Sequence, residues 1–218
     1  MSPPVSVFRL PLPPNPTTDD DIDLLAALFG RSLSSSAGRA AAAGLIDAFG
    51  GLAAAAAADE AALRREGLSN AAVAELGRVR ALAIAMARTE ACRRPVLSSW
   101  TALTAYLRAA LAYAPREQFR TLYLDRRNKL IREEWRADGT LDHAPVYPRE
   151  VVRRALELSA SAMILVHNHP SGDPTPSRPD IDMTRRIVEA AKVFDIEVHD
   201  HVIVGREGTK SFRALGLM

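Results

Sequence analysis

Two histidines, two positions apart, follow an apolar run in the C-terminal half of the 218-residue chain. The five apolar residues at 162–166 lead directly into His167, and His169 follows before a Pro-rich loop. Because residues i and i+2 of an extended strand point to the same face, the two imidazoles are expected to lie side by side. Histidine is the commonest metal ligand in proteins, so this pair could bind a divalent cation.

A carboxylate and a hydroxyl follow at a spacing that could complete a metal site. Asp180 lies 11 residues after His169, and a loop of that length could fold back to supply an oxygen ligand. Two histidines and one carboxylate would leave one tetrahedral position for water, which is the catalytic arrangement of zinc. Ser177-x-x-Asp180, with Pro179 between them, is also typical of a capping box at a helix start. The two interpretations are compatible, and a loop rich in polar caps is the alternative to a metal site.

The spacing His-x-His, seven residues, Ser, two residues, Asp matches the JAMM motif of the MPN+ metalloprotease class. The longer string from His167 to Ser177 resembles the RadC family, long labelled as DNA repair proteins. Pro148-Arg149-Glu150 before a predicted helix, and the segment 200–205 followed by Ser211-Phe212, extend the resemblance. It covers about residues 98–218.

This resemblance implies a zinc hydrolase that cuts a peptide or isopeptide amide bond in a peptide or protein substrate. His167, His169 and Asp180 would bind Zn²⁺, which lowers the pKa of a bound water to about 7. The class also uses an upstream glutamate as general base, and Glu117, which leads into the first predicted strand, is the candidate. The alternative for Glu117 is an exposed carboxylate at a helix end. Ser177 would stabilise the developing oxyanion through its hydroxyl.

A second His-x-His, His199-Asp200-His201, lies on a later predicted strand. The resemblance includes Asp200 and His201, and we predict that these two make structural hydrogen bonds rather than bind a metal. Cys92 is the only cysteine, which excludes an internal disulfide and the Pro-Cys-x-x-Cys site of zinc deaminases.

The elements that must position these residues form two predicted domains after a Pro-rich, extended arm at 1–18. Residues 19–94 are rich in Ala, Leu and Arg, with glycine breaks, and predict four or five short helices. Residues 98–218 alternate strands and helices, which predicts an α/β domain with helices covering a sheet. Two further strands are predicted at 197–204 and 211–214. The resemblance makes the first domain similar to helix-hairpin-helix modules and the second an MPN domain, similar to cytidine deaminases.

The charge balance bears on the competing function. The chain has 28 basic and 26 acidic side chains, a net charge of +2, whereas a protein that binds DNA through phosphates is expected to show a basic stripe. The hairpin at Gly67-Leu68-Ser69 also lacks the final glycine of the family's Gly-Ile-Gly. A DNA repair-associated DNA- or partner-binding protein without protease activity, with weak DNA association through the first domain, is therefore the alternative prediction.

The sequence also predicts where the protein resides. We expect a soluble, cytoplasmic protein, because no basic and apolar leader is visible and a single cysteine suits a reducing compartment. The Ala-rich stretch at 40–58 is interrupted by Asp47 and lacks the roughly 18 consecutive apolar residues of a membrane span.

Overall fold

The computed structural model describes residues 18–30, 33–93, 95–138 and 146–218. The chain divides into two compact units, with the division between Leu76 and Gly77. The predicted arm at 1–18 lies outside the described residues except for Thr18, which begins the first helix. The domain boundaries predicted from composition, 19–94 and 98–218, stay predictions.

The described part of the first unit is helical. Its helices are α1 (Thr18–Phe29), α2 (Ser35–Phe49), α3 (Leu52–Ala57), α4 (Glu60–Arg65) and the start of α5 (Asn70–Cys92). Gly50 ends α2 in the left-handed conformation, with φ of 77°, as the predicted glycine break requires. The break between α3 and α4 needs no glycine, because the Asp59 side chain accepts the Ala62 N–H and caps α4.

The second unit is built on a five-stranded mixed sheet. Its strands are β1 (Gln118–Leu124), β2 (Leu130–Asp138), β3 (Ala162–Asn168), β4 (Glu197–Gly205) and β5 (Gly208–Ser211). They lie in the order β2-β1-β3-β4-β5, and only β3 and β4 run parallel. Its helices are the rest of α5, a short 3-10 helix at Val96–Ser99, α6 (Trp100–Leu111), α7 (Pro148–Glu157) and α8 (Arg178–Lys192). The predicted fold class, a helical region followed by a mixed α/β domain, is confirmed.

The central strand β3 is buried along its whole length and separates two cores. Ile164 and Val166 pack into the core on the α6 side of the sheet. Met163 and Leu165 pack into the core on the other side, with residues of α7 and α8. Because side chains alternate along a strand, His167 continues on the α7/α8 side. The polar end of β3 is therefore held between two buried layers.

The last predicted strand is wrong in its bounds. β5 ends at Ser211, and the segment predicted to continue it to residue 214 forms a turn. Asp200 is the reason, since its carboxylate accepts the Arg213 N–H at 3.0 Å and the Ser211 hydroxyl. The Arg213 amide is thus bonded to a side chain instead of a neighbouring strand.

We predict that Asp200→Ala lowers the free energy of unfolding of the second unit by about 3 kcal/mol. The Asp200 side chain is only 4% exposed and also accepts the His201 N–H at 2.7 Å, so alanine leaves several donors without a partner. Both tryptophans, Trp100 and Trp135, lie in this unit, so tryptophan fluorescence during urea denaturation reports on it alone. Glu189→Ala, at an exposed position on α8, is the control, and equal midpoints for the two variants would contradict the prediction.

None of the described helices is long and apolar enough to cross a membrane.

Candidate metal centre

The structure brings the three predicted metal ligands together where β3 ends and α8 begins. The Nε2 atoms of His167 and His169 are 2.9 Å apart. Asp180 Oδ1 lies 3.3 Å from His167 Nε2, and Asp180 Oδ2 lies 3.5 Å from His169 Nε2. Among the described residues, these three form a group that could hold a metal ion.

The start of α8 determines where Asp180 points. The Ser177 N–H and hydroxyl donate to Asp180 Oδ2 at 2.7 and 2.6 Å, and the Asp180 N–H donates to the Ser177 hydroxyl at 3.3 Å. This is the predicted capping box, which is confirmed. Because the box occupies Oδ2, the other carboxylate oxygen is left to face His167.

The protonation of His169 follows from its partner. His169 Nδ1 lies 2.8 Å from the main-chain carbonyl oxygen of Asp173. A carbonyl can only accept, so Nδ1 carries the hydrogen and Nε2 of the neutral ring carries a lone pair. That lone pair faces the site.

The protonation of His167 follows from a longer chain of buried hydrogen bonds. The Thr184 hydroxyl donates its only hydrogen to the main-chain carbonyl of Asp180, at 2.6 Å. It must then accept from His201 Nδ1, also at 2.6 Å. His201 Nε2 in turn accepts from His167 Nδ1 at 2.8 Å, which leaves a lone pair on His167 Nε2. The neutral state of His201 fits its surroundings, because burial lowers its pKa well below the usual value.

With these protonation states, two nitrogen lone pairs and a carboxylate face one another, and this arrangement favours a cation in the site. Two nitrogen lone pairs that face each other at 2.9 Å repel, unless a proton or a metal ion lies between them. A tetrahedral zinc ion with bonds of about 2.0–2.2 Å has its ligand atoms about 3.3 Å apart. The separations of 2.9 Å between the two Nε2 atoms and 3.3 Å from His167 Nε2 to Asp180 Oδ1 are near that value, and the 3.5 Å distance to His169 Nε2 involves the other carboxylate oxygen. Two imidazoles and one carboxylate are also a donor set that zinc accepts with one position left open.

The electrostatics of the cluster favour a cation as well. Partial burial on its own would raise the pKa of the Asp180 carboxyl, but the interaction with His167 and His169, when these rings carry a proton, outweighs it and holds that pKa well below its usual range. The hydrogen bond with Asp180 raises the pKa of His169, against the effect of its own partial burial. Without a metal, the raised pKa of His169 makes a proton on this ring the cation that the site favours.

We predict that His169 of the metal-free protein titrates above the ordinary histidine value of 6.5. A folded-state pKa above the unfolded value means that protonation stabilises the metal-free fold below pH 6.5, and that this contribution is lost as pH rises through the folded pKa. NMR titration of the histidine ring carbons in chelator-treated protein measures the value. Asp180→Asn removes the largest cause of the raised pKa and is expected to lower the pKa of His169. An unchanged pKa would contradict the assignment.

Glu117 lies one residue before β1 and is exposed. The alternation of β1, extended by one residue, places Glu117 on the same face as Phe119, whose ring lies 5.9 Å from the His201 ring. Its negative charge also adds to the raised pKa of His169, after the larger contribution of Asp180. Glu117 therefore lies on the side of the sheet that carries the cluster, and its role as general base stays a prediction.

The residues of the second His-x-His, His199-Asp200-His201, make two separate sets of contacts. His201 and Asp200 make buried structural hydrogen bonds, which confirms the prediction for both. His199 contacts Asn128 at 2.7 Å and Glu197 at 3.2 Å instead, and is not part of the metal cluster.

Two comparisons with known proteins identify the family. Residues 97–217 match the family model described as "RadC-like JAB domain". The chain belongs to the RadC family. It is 51% identical over 199 residues to a "UPF0758 protein" of Rhodobacter capsulatus, an alignment that covers 91% of this chain and 93% of that relative. The matched RadC domain contains the whole sheet and all the candidate site residues, and the predicted resemblance is confirmed.

Sequence reasoning missed two residues of this RadC site, Thr184 and Asn168. Thr184 lies four positions after Asp180 on α8, a spacing at which helical residues are neighbours, and that spacing was the available signal. Asn168 lies between the two histidines, and its contacts could not be read from the sequence.

Proposed function

We propose that this RadC protein is a zinc-dependent hydrolase that cleaves peptide or isopeptide amide bonds. His167, His169 and Asp180 would hold the metal. The observation that carries the proposal is the pair of Nε2 atoms, 2.9 Å apart, beside the Asp180 carboxylate. A zinc ion bound there would supply a Lewis acid and lower the pKa of water to about 7.

Glu117 is proposed to take the proton of the attacking water and to return it to the leaving nitrogen. A general base of this kind must reach the water within hydrogen-bond distance. Support comes from its place on the face of Phe119 and from the effect of its charge on His169. Its exposed carboxylate is accessible to water and substrate.

Ser177 is proposed to donate a hydrogen bond to the substrate oxygen as negative charge develops on it. In the structure its hydroxyl donates to Asp180 Oδ2 instead, at 2.6 Å. The Ser177 N–H holds the same oxygen at 2.7 Å, so the hydroxyl can change partners while the backbone keeps Asp180 in place. Ser177 can therefore serve both the helix start and the reaction.

The alternative, DNA or partner binding without protease activity, has weaker support. The turn at Gly67 leads into α5, and there the Ser69 hydroxyl accepts the Ala72 N–H at 3.2 Å. One of the backbone amides at this helix start is therefore already paired within the chain, which leaves the hairpin fewer N–H donors for a phosphate.

The test is the zinc content of the purified full chain, followed by a screen of fluorogenic peptides and isopeptide-linked conjugates. The proposal expects about one zinc per chain and cleavage that a chelator stops and added zinc restores. A chain that stays metal-free after incubation with zinc would overturn it. DNA affinity that falls steeply with salt, in that metal-free chain, would favour the alternative.

A further inference from the structure

The Asn168 side chain faces away from the two histidines that flank it in sequence. Asn168 is the last residue of β3 and is 1% exposed. His167 points to the α7/α8 side of the sheet, where it contacts His201, so the alternation of β3 turns Asn168 to the α6 side. Its amide contacts the segment that leads into β1.

The two hydrogen bonds of Asn168 enclose a single residue. Asn168 Oδ1 accepts the Gln118 N–H at 2.9 Å, and Asn168 Nδ2 donates to the Arg116 carbonyl at 3.1 Å. The first contact belongs to the peptide group after Glu117 and the second to the peptide group before it. Both backbone dihedrals of Glu117 are therefore limited by one planar side chain.

Asn168 acts where backbone pairing stops. The ladder between β1 and β3 ends with the pair Phe119 and His167. Beyond that pair, the Asn168 amide supplies the donor and the acceptor that a neighbouring strand would have offered. A primary amide carries a donor and an acceptor on two separate atoms of one rigid group, whereas a carboxylate has no hydrogen to donate and a hydroxyl has a single polar atom.

Glu117 depends on this support. Its carboxylate makes no hydrogen bond or ion pair with another described residue. No hydrogen bond or ion pair within the described part of the chain therefore fixes its direction, which leaves the backbone as its main constraint. An error of about 1 Å in the position of a reacting group costs roughly 10²-fold in rate.

We propose that Asn168 is a positioning residue that clamps the backbone on both sides of Glu117 and so directs the Glu117 carboxylate toward the metal centre. The inference rests on the proposed function for the role of Glu117. The clamp itself is a property of the fold. The middle residue of the His-Asn-His triplet would thus connect the metal ligands to the base.

The clamp is tested without any substrate, in the full chain, by backbone ¹⁵N relaxation and amide hydrogen exchange. Asn168→Ser gives a shorter side chain with a single polar atom, which cannot bridge the Gln118 N–H and the Arg116 carbonyl at once, and it buries no charge. The order parameter of the Glu117 N–H is expected to fall from about 0.85 to below about 0.6. Exchange of the Gln118 amide is expected to rise at least about 10-fold, since its only clamp partner is gone. The zinc content should equal that of the wild type.

Val166→Ala is the matched control. Val166 is fully buried on the same face of β3, two residues earlier, so alanine loosens the core and leaves the clamp in place. In this variant the order parameter of the Glu117 N–H and the exchange rate of the Gln118 amide should equal those of the wild type. The proposal is overturned if Glu117 is equally ordered in a folded Asn168→Ser chain, if Val166→Ala loosens it as much, or if Asn168→Ser loses zinc.

A double-mutant cycle tests whether Asn168 acts through Glu117. With the fluorogenic peptide that the wild type cleaves best, Asn168→Ser is expected to lower kcat about 10²-fold with little change in KM. In the Glu117→Gln background the same change should cost nothing further, whereas multiplied losses would contradict a positioning role. A wild type that binds no zinc and cleaves no peptide would defeat the proposed function alone, since relaxation still decides the clamp.

Discussion

Asp180→Asn is expected to abolish stoichiometric zinc binding while the second unit stays folded. Asparagine has the shape of aspartate, and its amide oxygen can still accept the Ser177 N–H that holds Asp180 at 2.7 Å. What it loses is the only negative charge among the three candidate ligands. We expect zinc affinity to fall by more than the 10- to 100-fold that loss of an outer partner costs. Elemental analysis after dialysis, with a chromophoric chelator as competitor, measures the change.

Two variants separate loss of a ligand from damage to the helix. Asp182→Asn changes an exposed carboxylate on the same helix that pairs with Arg178 and Arg185, and should keep its zinc. Ser177→Ala removes half of the capping box, at a cost of about 1 kcal/mol in stability, and leaves the carboxylate in place. If Asp180→Asn retains one zinc per chain, the metal is held elsewhere.

Glu117→Gln is expected to lower kcat by roughly 10²- to 10⁴-fold without loss of zinc, because glutamine keeps the shape of the side chain but cannot take a proton. Zinc-loaded protein and the best fluorogenic peptide from the screen provide the assay. Glu189→Gln, at an exposed position on α8, is the control. Activity within a few-fold of the wild type in Glu117→Gln would assign the base to another residue.

The local features of the site could be predicted because they depend on short stretches of sequence. The apolar run before His167 is long enough for a buried strand, and the i, i+2 spacing of His167 and His169 puts both rings on one face. Ser177 and Asp180 are three residues apart, and that spacing alone favours a capping box. In each case the partners are neighbours in the chain, so no knowledge of the sheet was needed.

The partners that set the protonation of the site could not be predicted in the same way. His167 contacts His201, 34 positions away, and Asn168 contacts Gln118, 50 positions away. Such contacts depend on the register of β1 and β4 against β3, and a slip of one residue turns every side chain to the other face. Sequence spacing gives no information on that register.

The register of β4 against β3 shows which features of the site follow from the sequence and which depend on the tertiary structure. A His-x-His, a serine and an aspartate could be placed from the sequence at the end of a buried strand and the start of a helix. In the sheet, Met163 pairs with Val198 but Ile164 pairs with Asp200, so His199 is an extra residue on β4. This shift reverses the alternation: Val198 lies in the α7/α8 core, whereas Val202 lies in the α6 core. His201 consequently meets His167, because an irregularity of one residue decides which side chain faces the site.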